Sequence, residues 1–112
     1  MTATYNLVCP QATTFTFQFK VETDGVPWNL TNYDATMTVR PFTNSTTTTL
    51  LATNDNGKIV IDVPNARATV TFSATDTNIN AESYVYDFVF NSGSVVTRLL
   101  EGQFIVTAGV TV

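Results

Sequence analysis

The chain has no histidine and only one cysteine, Cys9, among its 112 residues. Without an imidazole there is no Ser-His-Asp triad, no Cys-His pair and no histidine metal site. A single thiol cannot close an intrachain disulfide, and it is compatible with a reducing compartment. Charge is scarce as well. Charged residues make up 12% of the chain, about half the usual share for soluble domains. Five basic and nine acidic residues leave a net charge of −4. Such a surface offers little to nucleic-acid phosphates or to an anionic membrane, so neither is an expected partner. Long apolar runs are also missing. The longest nearly apolar stretch, Tyr84 to Phe90, is interrupted by Asp87 and is far too short to cross a bilayer. Met1 is followed by Thr-Ala-Thr-Tyr, with neither the basic stretch nor the apolar run of a secretory signal. The Asn-x-Ser/Thr patterns at Asn29 and Asn44 therefore read as chance in an Asn- and Thr-rich chain.

What the chain has is threonine, about one residue in five, and a recurring period of two. From Thr14 to Val21 the residues Phe15, Phe17, Phe19 and Val21 point one way and Thr14, Thr16, Gln18 and Lys20 the other, as in a strand with one buried face. Ala35, Met37 and Val39 alternate in the same manner up to Pro41, which ends the strand or places it at an edge. Residues 48–53 predict a short strand after a Thr-rich loop. The turn Asn54-Asp55-Asn56-Gly57 leads into a predicted hairpin of Lys58 to Val63 with Arg67 to Phe72. Glu82 to Phe90 places Tyr84, Tyr86, Phe88 and Phe90 on one face. Asn91-Ser92-Gly93 then closes a hairpin into Val95 to Leu100. Gly102 reads as a bulge or a close backbone approach before a last stretch to Thr107. Ser73 with Asp76 predicts a capped helical turn near residues 73–78, kept short by Asn78 and Asn80. Seven or eight short strands with turn signals every 8 to 12 residues predict one antiparallel β-sandwich over residues 1–112, immunoglobulin-like in type. A small barrel is the alternative. Tyr84 is a candidate tyrosine corner, and an ordinary core tyrosine is the competing reading.

The candidate sites are few. Asp87 lies between Tyr86 and Phe88; if the face it shares with Val85 and Val89 is buried it needs a partner, for which Arg40 and Arg98 are the candidates, and otherwise it sits on an exposed face. Cys9 has no base to activate it and reads as a buried or incidental thiol. Asp24, Asp34 and Asp55-Asn56 lack the spacing of a calcium loop, so no metal is expected. Trp28, beside a turn, reads as core packing at the sandwich end or as an interface anchor. With Tyr5 and Tyr33 it could also form a sugar-stacking surface. Thr46 to Thr49 does not repeat at a regular period and reads as loop or edge strand. Val110-Thr111-Val112 is an extended apolar end, either the last strand of its own sheet or an addition to a neighbour's. No catalytic group, cofactor or enzymatic activity is expected.

Several segments also occur in a familiar order. They are Gln11-Ala12-Thr13-Thr14-Phe15, Val26-Pro27-Trp28-Asn29-Leu30-Thr31-Asn32-Tyr33, the strand from Ala35 to Pro41, and Gly57-Lys58-Ile59-Val60-Ile61. Tyr84-Val85-Tyr86-Asp87-Phe88 and Thr97-Arg98-Leu99-Leu100-Glu101-Gly102 complete the series. In order and spacing they resemble small immunoglobulin-like β-sandwich structural proteins of tailed bacteriophages and prophages, over nearly the whole chain. Ala12 or Pro10 stands where that pattern has glycine, and Asn32 replaces a turn glycine. The resemblance implies a virion structural protein in tail, baseplate, fibre attachment or neck, or a capsid decoration protein. It further implies assembly in the host cytoplasm and contacts with other phage proteins and with copies of itself.

Overall fold

In a computed structural model, residues 3–109 are described, and among them the fold is all-β with no helix. The strands are β1 (Ala3–Thr4), β2 (Leu7–Pro10), β3 (Phe15–Lys20), β4 (Glu22–Thr23), β5 (Val26–Pro27) and β6 (Asp34–Arg40). They continue as β7 (Leu50–Thr53), β8 (Ile59–Asp62), β9 (Arg67–Phe72), β10 (Ser83–Ser92) and β11 (Val95–Thr107). Six strands form one sheet in the order β1-β11-β10-β6-β7, with β2 also on β11. Three form a second sheet in the order β3-β9-β8, and β4 with β5 makes a small hairpin.

The two sheets pack as a sandwich because each alternating strand turns its apolar set inward. Along β6 the buried residues are Ala35, Met37 and Val39, and along β10 they are Tyr84, Tyr86, Phe88 and Phe90. From the smaller sheet come Ile59, Ala68, Val70 and Phe72. Aromatic edges join the layers. The Phe19 and Phe88 rings meet T-shaped at 4.9 Å, and those of Phe15 and Phe104 at 5.4 Å. Burying one such ring fully is worth about 2–3 kcal/mol, so these aromatic contacts add to the cohesion between the sheets.

Three features differ from the sequence expectation. First, the sandwich is not wholly antiparallel, since β1 and β2 both run parallel to β11. Second, Val95 to Thr107 is one continuous strand. Its bulge falls at Leu99, where the register with β10 shifts between Phe88 and Val89. Gly102 supplies a close approach to Tyr5 instead. Third, residues 73–78 make a hydrogen-bonded turn, not a helix. The capping pair does form, Ser73 N donating to Asp76 Oδ2 at 3.0 Å and Asp76 N to Ser73 Oγ at 3.1 Å. Thr77 N closes on Ser73 O at 3.1 Å, but the poor helix formers that follow do not propagate the turn.

Candidate functional site

The outer face of the six-stranded sheet carries the polar side chains of β6, β10 and β11. Register places Thr38 opposite Asp87, and Asp87 opposite Glu101. The bulge at Leu99 brings Arg98 back onto the same face, where its Nε lies 3.2 Å from Asp87 Oδ2 and its Nη1 3.8 Å from Glu101 Oε1. Arg40 sits opposite Val85, and its Nη1 donates instead to Ser45 O at 2.8 Å. The ion pair expected of Asp87 therefore forms with Arg98, while Arg40 holds the 41–49 loop against the sheet. Arg40, Asp87 and Arg98 nevertheless line one open groove of about 460 Å³, with Asn44 and Gln103 on its rim. Two carboxylates share one guanidinium in an exposed ion-pair network.

A second feature is the flank between the sheets, where β3 runs beside the β1–β2 edge. A cleft of about 480 Å³ opens there, lined by Tyr5, Leu7, Phe15, Phe17, Phe19 and Leu100. It continues past Phe19 and Leu100 into a hollow bounded by Trp28, Glu22 and Asp24. Trp28 itself is half-buried and packs on Tyr33 at a ring distance of 6.1 Å. Tyr33 in turn meets the buried Phe90, so the Trp28–Tyr33 pair belongs to the core as much as to the surface. Tyr5 is exposed and lines the cleft but not the hollow at Trp28. Cys9 is fully buried on β2, and burial pushes its thiol up from the ordinary range. Val110, Thr111 and Val112 lie outside the described residues. Among the described residues no cluster of three or more His, Cys, Asp or Glu side chains could hold a metal ion.

Three polar fastenings escape a reading of the sequence alone. Thr77 is completely buried. Its Oγ1 donates to Thr13 O at 2.6 Å and accepts from Thr13 N at 2.9 Å, which ties down the crossover from β2 to β3. Lys58 pairs with Asp76, joining the start of β8 to the 73–78 turn. Bonding to Lys58 holds the Asp76 carboxyl below its usual range, against a smaller opposing effect of burial. Tyr86 donates from its hydroxyl to Tyr5 O at 2.6 Å, and burial pushes its phenol up to about 12. Short-range signals exist only for the capping residues of the 73–78 turn. The other partners are far apart in sequence and meet only when the sheets and their connections pack together. In comparisons with family models and with curated proteins, nothing matches this chain.

Proposed function

We propose that the chain is a virion structural module of a tailed bacteriophage, an immunoglobulin-like sandwich that acts through protein–protein contacts and not through catalysis. The observation that carries the assembly reading is the character of the sheet faces. Beyond one end row, where Lys20, Arg67 and Asp62 stand side by side, the outer face of the smaller sheet presents Thr16, Gln18, Thr69, Thr71 and Val60, an uncharged patch spread over three strands. Depletion of charge distinguishes the cores of interfaces from the rest of a protein surface. The bacteriophage context rests on the sequence resemblance.

Strand order supports the immunoglobulin-like type. If β3, β8 and β9 are strands B, D and E, then β6, β7, β10 and β11 fall as C, C′, F and G, and the two sheets are B-E-D and G-F-C-C′. Tyr84 opens β10 and its hydroxyl donates back to Asn80 O at 2.8 Å, the bond that defines a tyrosine corner.

Mass spectrometry of purified particles is the test. The protein is expected at a copy number matching a tail, baseplate or neck symmetry. A copy number matching the shell would favour capsid decoration, and absence from intact particles would refute the virion role. A carbohydrate- or receptor-binding role has one observation in its favour, the indole of Trp28 beside Glu22 and Asp24 in an open hollow. It predicts glycan-array binding that Trp28→Ala abolishes.

A further inference from the structure

Among the described residues the two sheets have four free strand edges, and three of them are guarded. The edge formed by β1 and β2 is interrupted at Tyr5-Asn6 and stops at Pro10. Strand β7 is four residues long. Strand β8 is equally short, with Lys58 before it, Asp62 at its end and Pro64 just beyond. Interruption, proline, charge and shortness are the usual devices that keep an edge from pairing with another chain. Strand β3 has the least of them, a single terminal lysine, Lys20. It runs for six regular residues, contains no proline, carries one charge at its very end and pairs with β9 alone.

Its inner side chains are also incompletely covered. Phe15, Phe17 and Phe19 point into the sandwich beside Phe72, Val70 and Ala68, which are fully buried, yet the three phenylalanines stay only half-buried because the flank cleft opens onto them.

We propose that β3 is an interface strand whose occupant is β3 of a second copy, paired antiparallel about a two-fold axis through Phe17. This rests on the reading of the chain as an assembly module and adds to it an edge and a partner. A two-fold there places Phe17 opposite Phe17 of the second copy, and Phe15 opposite Phe19 of the second copy. On the outer face Thr16 meets Gln18 of the second copy. Every residue keeps its face, so both copies turn their phenylalanines to the same side and the three-stranded sheets merge into one of six strands. The aromatic pairs cover the opening that a lone copy leaves. Charge permits the match. Lys20 would face Thr14 of the second copy, and no two like charges come opposite each other, although each chain carries a net charge of −4. An isologous pairing closes on itself, so this least guarded edge ends in a dimer rather than a fibre.

Sedimentation equilibrium on the full chain tests this with two double variants, Thr16→Lys/Gln18→Lys and Thr16→Glu/Gln18→Glu. Both change exposed outer-face positions, and circular dichroism melts check that each variant is folded. The wild type is expected to dimerise. Each variant places like charges opposite each other twice across the axis and weakens association by about tenfold or more. An equimolar mixture of the two restores the dimer. Protection of β3 amides from deuterium exchange that rises with wild-type concentration reads the same contact without any variant. A wild type that stays monomeric without such protection would overturn the proposal, as would variants that dimerise undiminished or a mixture that fails to recombine. A dimer through β3 that is missing from purified particles would refute the virion role and leave this interface standing. A monomer found in particles would do the reverse.

Discussion

The two edges that border the flank cleft are built in opposite ways. On the β1–β2 side the chain is fastened at the point where its ladder breaks. Tyr5 N donates to Glu101 O at 2.9 Å, Tyr5 O accepts from the Tyr86 hydroxyl, and Asn6 Oδ1 accepts from Gln103 N at 3.0 Å. Register is unchanged across the gap, because Thr4 faces Glu101 and Leu7 faces Phe104. Side chains have thus replaced ladder bonds without a slip, leaving an edge with little to offer another strand. On the β3 side there is a regular strand, tied to β9 by its ladder and by one exposed side-chain bond, Thr16 Oγ1 to Thr71 Oγ1 at 3.3 Å. An edge that must stay single spends residues on being irregular, and β3 has spent none.

Breaking the fastened edge is the sharpest way to test this contrast. Gly102 has φ +157°, and a Cβ built there would overlap the Tyr5 carbonyl oxygen, a backbone atom that cannot swing aside. Gly102→Ala is expected to cost about 4 kcal/mol, from steric overlap together with the lost Tyr86 bond. Urea unfolding would measure it, and amide exchange should show β1 released while β3 keeps its protection. Loss of protection at both edges together would mean that the two edges are not independent.

The crossover between the edges comes next. Thr77→Val keeps the shape of the side chain but leaves Thr13 N and Thr13 O without their buried partner. A loss of about 3 kcal/mol is expected in the same unfolding experiment. Thr77→Ser retains the hydroxyl and should recover most of it.

The two edges also differ in how legible they are in the sequence. Strand β3 is plain because Phe15, Phe17 and Phe19 alternate with Thr16 and Gln18, a local period that needs no knowledge of its neighbours. The β8–β9 and β10–β11 hairpins are legible for the same reason, aided by turn residues. Strands β1 and β2 are two and four residues long, too short for any period to stand out, and their parallel partner lies nearly the whole chain away. Gly102 is visible as a close approach, but which backbone approaches it is decided by that distant pairing. The same limit hid Thr77 and the Lys58–Asp76 pair. Asp87 could be recognised as needing a cation, yet the choice of Arg98 over Arg40 depended on the bulge at Leu99, which nothing around that leucine announces.

Two pH dependences separate the edges further. The Tyr86 phenol is raised in the folded state, so its contribution is fully present below the ordinary tyrosine value and is lost as pH rises through about 12. About 2–3 kcal/mol of stability should disappear over that alkaline window, and Tyr86→Phe should abolish this dependence. The Asp76 carboxyl is lowered, so its contribution is present above the ordinary carboxylate value of 3.8 and is lost as pH falls through the folded value. Acid should therefore loosen the β8 end of the smaller sheet, and Asp76→Asn should flatten the acid limb of a plot of urea midpoint against pH. The alkaline loss belongs to the fastened edge and the acid loss to the smaller sheet. Exchange at high and at low pH should release different strands first.

The smallest expected effect lies where the chain passes from one edge to the other. Ala12 has φ +59°, a left-handed conformation that costs an alanine about 1 kcal/mol. Its N–H donates to Thr77 O at 3.1 Å, so the strain is imposed by the same fastening that holds Thr13. Ala12→Gly relieves it but adds freedom to the unfolded chain, and the two terms nearly offset. A net gain of about 0.5 kcal/mol is expected, a rise of about 2–4 °C in melting temperature for a domain this size. Ala74→Gly, in the exposed turn, has no such strain to relieve and should only destabilise. If Ala12→Gly lowers stability as Ala74→Gly does, the crossover is not held under strain, and Thr77 then merely accommodates the 11–13 segment instead of forcing it.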